Sequence, residues 1–169
     1  MIADTKRFVE RYSTFADRLA EWGGVLAGGA LVLLCGLVSI EILARNLLNR
    51  STMIADEISG YLNVAVIFFG LAYTIKHDGL IRVELVYRRF RGVTKAIADW
   101  YGVLASLIYS GIILYFMSQY ALYSFRNDIR SAEITETPQF IPQLFIVAGT
   151  SILVIYLFKF VLRRCRDVP

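Results

Sequence analysis

Residues 22–40 read WGGVLAGGALVLLCGLVSI, 19 consecutive positions without a charge. A helix crossing the hydrocarbon core of a bilayer needs about 20 mostly apolar residues, because no water is there to satisfy its backbone. Three more uncharged runs follow, Ile58–Ile75 (18 residues), Trp100–Phe125 (26) and Thr137–Phe158 (22), and the four together take half of the 169 residues. Composition agrees: 57% of the chain is hydrophobic, 19% is charged and the mean hydropathy is +0.56, where a soluble domain averages about 45–50% apolar and about 25% charged residues. The pattern predicts an all-α membrane protein, a single membrane domain over 1–169. Its four transmembrane helices fall at approximately 22–44, 56–76, 99–125 and 140–162.

The segments between the runs are too short to bury a core of their own, which excludes a soluble catalytic domain. The 21 residues ahead of the first run carry four basic and four acidic groups. That is too long and too mixed for a signal-peptide n-region, no small-x-small cleavage site follows, and the first span reads as a retained anchor. Cys35 falls inside the first span and Cys165 in the basic tail, so no disulfide or metal-ligand spacing is expected.

Lys and Arg resist translocation and so set orientation. Of the 18 basic residues, 14 lie in the N-terminal segment, the middle loop and the C-terminal tail, leaving Arg45, Arg50, Arg126 and Arg130 for the other two loops. Both termini and the middle loop are therefore expected in the cytoplasm. The same bias accounts for much of the net charge of +4, so no nucleic-acid partner is invoked.

Two of the cytoplasmic segments are amphipathic. Phe8, Tyr12, Phe15, Leu19 and Trp22 share one helical stripe, and this predicts an interfacial helix over about 5–20, with Gly23-Gly24 supplying a bend. The alternative is an inward extension of the first span. Val83, Val86, Tyr87, Phe90, Val93 and Ile97 recur at helical spacing in the middle loop, with Arg82, Arg88, Arg89, Arg91 and Lys95 between them. A basic helix over about 81–97 on an anionic leaflet explains both of its faces. Phe8, Tyr12, Phe15 and Trp22, with those five cations, are the lipid-anchoring residues, and docking of a soluble partner is the competing reading of the middle loop.

Ala20, Gly24 and Gly28 recur every four residues, as do Gly102, Ser106 and Ser110, the small-residue spacing by which helices approach in lipid. Glu41 precedes Arg45 by four positions, which favours a structural ion pair near the outer end of the first span. Asp56 and Glu57 open the second span, where the free N–H groups favour negative charge. Thr137-Pro138-Gln139-Phe140-Ile141-Pro142 makes an ordered outer loop and the start of the fourth span, since proline is tolerated in a first turn.

Catalytic equipment is missing. His77 is the only histidine, which excludes a bis-histidine haem within one chain; no activated nucleophile and no phosphate-binding loop are present. No catalytic residue, metal site or cofactor is expected. The two halves share no motif and no span is interrupted at mid-depth, which makes a poor carrier alone. An accessory subunit fits better.

Asp56-Glu57-Ile58-Ser59-Gly60-Tyr61-Leu62, Phe69-Gly70-Leu71-Ala72-Tyr73 and Gly79-Leu80-Ile81-Arg82-Val83-Glu84-Leu85, in that order, resemble the small, DctQ-type membrane subunit of tripartite ATP-independent periplasmic (TRAP) transporters. Arg45-Asn46 with Ser51 and the Thr137-Pro138 to Pro142 segment fit the same pattern, over roughly residues 20–160. The chain departs from it at Leu80, where the family usually has histidine, and at Met53 and Ile54, where it usually has tryptophan. The resemblance implies a scaffold in the bacterial inner membrane that supports a large multi-span subunit holding the sodium sites and substrate path. A periplasmic binding protein delivers an organic anion, a carboxylate or sulfonate. Arg45, Asp56, Glu57, Thr137, Pro138 and Pro142 would then belong to the partner and docking interface. Two other readings compete: a self-sufficient small dimeric carrier using Glu41 as its coupling site, and a respiratory membrane anchor, against which the single histidine argues.

Overall fold

A computed structural model describes residues 2–48, 54–77, 79, 93–133 and 135–166. They form four helices, α1 (Ile2–Leu48), α2 (Ala55–Lys76), α3 (Val93–Arg126) and α4 (Phe140–Arg166). Each contains a stretch long and apolar enough to cross a membrane. Among the described residues there is no strand, only an isolated antiparallel bridge between Arg130 and Pro138.

α4 is the hub. It packs on α1, α2 and α3, while α1 lies along α2, and α3 joins the bundle mainly through α4. A third of the apolar window of α4 is buried (33%), against 6% for that of α3. Lipid tails are as apolar as leucine, so helices in a bilayer gain contact through close backbone approach instead of hydrophobic drive. Three glycines supply that approach. A Cβ built on Gly149 would stand 2.5 Å from the Phe68 carbonyl carbon and oxygen, and one on Gly23 would stand 2.7 Å from the Phe69 carbonyl oxygen. A Cβ on Gly24 would run into the Tyr73 ring. The small-residue stripes expected from spacing are therefore only partly at contacts. Ala20 and Ser110 are buried, but Gly28 and Gly102 face open space and Ser106 is exposed.

The first helix differs from expectation. Instead of an interfacial helix at 5–20 and a bend at Gly23-Gly24, α1 runs as one 47-residue helix, about 70 Å at 1.5 Å per residue. The reason lies one position along the helix from the aromatic stripe. Val9, Ser13, Ala16, Ala20 and Ala27 are buried at spacings of four, three, four and seven, a continuous small-residue seam through both glycines. Ala16 and Ala20 close a core with Ala72 of α2 and Tyr156 of α4. Phe8, Phe15 and Trp22 point outward. Tyr12 turns inward: its hydroxyl donates to the Ile155 carbonyl at 2.9 Å and its ring meets Phe158 edge-on.

Proline chemistry places the start of α4. Phe140 is its first residue, which puts Pro142 in the first turn, where an absent N–H breaks no helical bond. Most of the amphipathic segment expected at 81–97 lies outside the described residues; residues 93–97 form the opening turns of α3.

Candidate functional site

Polar side chains gather at the two ends of the bundle. At one end, Glu57 in the first turn of α2 is the centre of a hydroxyl chain. The Tyr61 hydroxyl, one helical turn on, donates to Glu57 Oε1 at 2.5 Å. Thr135, in the loop between α3 and α4, donates to Glu57 Oε2, and Thr137 donates to Thr135 Oγ1 at 2.9 Å. A carboxylate accepting two hydroxyls at a helix N-terminus is favoured twice, by charge-assisted bonds and by the dipole.

The loop itself, residues 127–139, folds back on itself. The Ser131 N–H donates to the Thr137 carbonyl at 2.9 Å and the Gln139 N–H to the Ile129 carbonyl at 3.0 Å, on either side of the Arg130–Pro138 bridge. Asp128 and Glu136 take positive φ of 45° at its two turns, a left-handed conformation that costs non-glycine residues energy and persists where the surroundings hold it. Asp128 also pairs with Arg130 at 3.1 Å. Glu57 thus ties the start of α2 to a loop that is 78 residues away in sequence.

Beside this knot lies a groove of about 420 Å³ between the end of α1 and the start of α2, bordered by Glu41, Arg45, Asn46, Asp56 and Ser59. The expected Glu41–Arg45 pair forms at 3.2 Å, with the carboxylate 8% exposed and the guanidinium 58% exposed. The six residues assigned to a partner interface therefore divide. Arg45 and Asp56 border the groove, whereas Glu57, Thr137 and Pro138 belong to the hydroxyl knot and its loop, with Pro142 in the α4 turn just beyond.

The opposite end holds an ion-pair cluster that the sequence reading missed. Lys159 of α4, buried, reaches Asp17 of α1 at 2.5 Å and lies 5.1 Å from the Tyr156 ring centroid. Lys76 at the end of α2 pairs with Glu21 at 2.7 Å and donates to the Asp17 carbonyl at 3.1 Å. His77 stands 3.3 Å from the same Glu21 carboxylate and stacks on Tyr73, ring centroids 4.4 Å apart. Asp17 and Glu21 are one turn apart on α1, and each clamps a different helix. The available signal was that pair of acids at i, i+4 just before the first uncharged run, opposite lysines at the ends of two spans. Of the residues assigned to lipid anchoring, Phe8, Phe15 and Trp22 are outward and Tyr12 is committed to α4. Arg82, Arg88, Arg89 and Arg91, and the side chain of Lys95, lie outside the described residues.

These groups join helices; none of the contacts pairs a nucleophile with a base, and no group of three His, Cys, Asp or Glu side chains suited to a metal occurs among the described residues. No curated protein and no solved structure matches the chain. A profile of the family described as "Tripartite ATP-independent periplasmic transporters, DctQ component" matches residues 34–167, nearly four fifths of the chain. It takes in three of the four helices whole and the C-terminal part of α1, including Glu57, the loop it holds and the Glu41–Arg45 pair. A four-helix membrane bundle braced at both ends, with that match across it, belongs to the DctQ family, the small membrane components of TRAP transporters.

Proposed function

We propose that this chain is the fixed scaffold of a sodium-driven uptake system for an organic anion, a carboxylate or sulfonate. DctQ components are parts of transporters and not enzymes, and the family works with a large TRAP membrane subunit and a periplasmic binding protein. In this reading the sodium sites and the substrate path belong to the large subunit, in the bacterial inner membrane. The small subunit widens the static part against which the moving part works. The ion-pair end, with the basic segments, faces the cytoplasm, as the distribution of Lys and Arg requires. The Glu57 knot and the loop 127–139 face the periplasm and form part of the surface on which the binding protein docks. Phe8, Phe15 and Trp22, with the basic middle loop, hold the scaffold at the inner leaflet.

The observation that carries the reading is that polar side chains at both ends link helices to one another. Glu57 joins α2 to the α3–α4 loop, Asp17 joins α1 to α4, and Glu21 joins α1 to α2. A brace needs such cross-links, whereas a carrier needs interrupted helices around a substrate. Co-expression with the large subunit of the same organism tests it. The chain is expected to copurify in mild detergent with that subunit, and recovery of the chain alone, in every detergent that keeps the large subunit folded, contradicts it.

A further inference from the structure

The outward faces of α1 and α3 differ in chemistry. Along α1, Val25, Leu26, Val32, Leu33, Ile40 and Leu43 are exposed, an aliphatic surface matched to lipid tails. Along α3, the exposed face carries Tyr101, Tyr109, Tyr115, Gln119, Tyr120 and Tyr123 among the aliphatic Leu104, Ile108 and Ile112. Tyrosine near a membrane surface is ordinary, because its hydroxyl reaches the headgroups while its ring stays in the apolar layer. That accounts for Tyr101 and Tyr123 at the two ends of the span. It does not account for the middle.

The apolar stretch of α3 runs from Trp100 to Arg126, with its centre near residue 113. At 1.5 Å per residue, Tyr115 sits about 3 Å from that centre, Tyr109 about 6 Å and Gln119 about 9 Å, inside a hydrocarbon half-thickness of about 15 Å. Helical side chains lean toward the N-terminus, so Tyr115 and Gln119 lean back toward the middle of the bilayer and away from the nearer headgroups. Ser110 and Ser118 satisfy their hydroxyls on the carbonyls of Leu107 and Leu114. Tyr109, Tyr115 and Gln119 make no hydrogen bond to any described residue. An unpaired hydroxyl or amide in hydrocarbon costs several kcal/mol; Tyr115 and Gln119, one turn apart and aimed at mid-depth, with Tyr109 beside them leaning toward its own headgroup layer, mark a surface that is not meant for lipid.

We infer that the Tyr109–Tyr115–Gln119 face of α3 is the surface on which the large TRAP membrane subunit packs, with polar groups of that subunit completing these three side chains at mid-membrane depth. The inference rests on the scaffold function proposed above. Area supports it as well as polarity. The five tyrosines with Phe116 are each 48–76% exposed, and at about 200 Å² per ring they offer on the order of 750 Å², close to one partner's share of a stable interface, about 800 Å². Continuous with this face is an apolar groove of about 310 Å³ between α3 and α4, bordered by Ser118, Leu122, Phe125, Phe140 and Leu144, into which a side chain of the partner fits. That α3 packs on its own bundle almost wholly through α4 follows, since its other face is left for another chain.

The test uses the co-expressed complex, with a photo-crosslinking amino acid at Tyr115 or, as control, at Val32 on the aliphatic face of α1. Crosslinking to the large subunit from position 115 and not from 32 is the expected result, with at least a tenfold difference in yield. If the chain copurifies with the large subunit but crosslinks from 32 and not 115, or crosslinks from 115 only to a second copy of itself, the inference is wrong and the scaffold function stands. Absence of copurification overturns both. A second variant, Y109F/Y115F/Q119L, separates protein from lipid by sign. A lipid-facing surface gains from losing its polar groups and leaves complex yield unchanged, which contradicts the inference. The expected outcome is a bundle at least as stable as before whose recovery with the large subunit falls about tenfold.

Discussion

Replacing Asp17 by alanine and Lys159 by methionine, singly and together, probes the clamp that holds the long first helix to α4. The two partners are unequally buried, the Lys159 side chain being 7% exposed and that of Asp17 31%. D17A strands an ammonium beside the Tyr156 ring, 5.1 Å away. Removing one member of a buried pair costs about 3–5 kcal/mol, and a cation–π contact offsets about 1 kcal/mol of that. D17A is thus expected to destabilise by about 3 kcal/mol. K159M leaves a carboxylate that water still reaches, and its methionine fits an apolar site, so the loss is about 1 kcal/mol. In the double variant nothing is stranded. Its stability is expected near that of K159M, which leaves a coupling of about 3 kcal/mol between the sites. Titrating SDS into the purified chain in dodecylmaltoside, followed by helical circular dichroism, measures all four proteins. Equal losses in the two single variants, with additivity to within about 0.5 kcal/mol, refute the claim that burial of Lys159 is what the pair compensates.

Gly149→Ala places a methyl group 2.5 Å from the Phe68 backbone and is expected to lower stability by about 1–3 kcal/mol in the same titration; Gly28→Ala, with nothing near it, leaves the midpoint unchanged or slightly higher. Glu57→Ala removes both acceptors that hold Tyr61 and Thr135. With charge-assisted bonds worth about 1.5–3 kcal/mol, tryptic cleavage at Arg126 and Arg130 should accelerate about tenfold or more, and an unchanged rate means the loop is held by other contacts. Glu41→Gln in the assembled transporter is expected to keep uptake, and the sodium dependence proposed above, within about twofold, because Glu41 pairs with Arg45; loss of ion dependence would assign it the coupling role instead.

The four spans were readable because the hydrocarbon thickness imposes a minimum length of uncharged helix, and Trp100–Phe125 or Ile58–Ile75 can hardly be anything else. Helix-end chemistry was readable for the same local reason: Glu41 and Arg45 are one turn apart, and Pro142 sits where a first turn accepts it. Tertiary use of glycine was not. Gly23-Gly24 resembles a bend because glycine weakens a helix in isolation, and only the approach of Phe69 and Tyr73 shows why both are needed inside an unbroken one. The aromatic residues of α1 recur at helical spacing, yet the neighbouring row of Val9, Ser13, Ala16 and Ala20 is the one buried, since small side chains set interhelical distance in lipid. Asp17 with Lys159 and Glu57 with Thr135 are separated by 142 and 78 residues. No periodicity carries that information. Asp17 and Glu21, set against Lys76 and Lys159 as charges at one end of the spans, are the local signal from which the clamp can be expected.

Reconstitution into liposomes decides the central claim. With an inward sodium gradient, vesicles holding this chain alone are expected to accumulate no organic anion, while vesicles holding it with the large subunit and supplied with the binding protein accumulate substrate. Accumulation by the isolated chain, under the same gradient, contradicts the account.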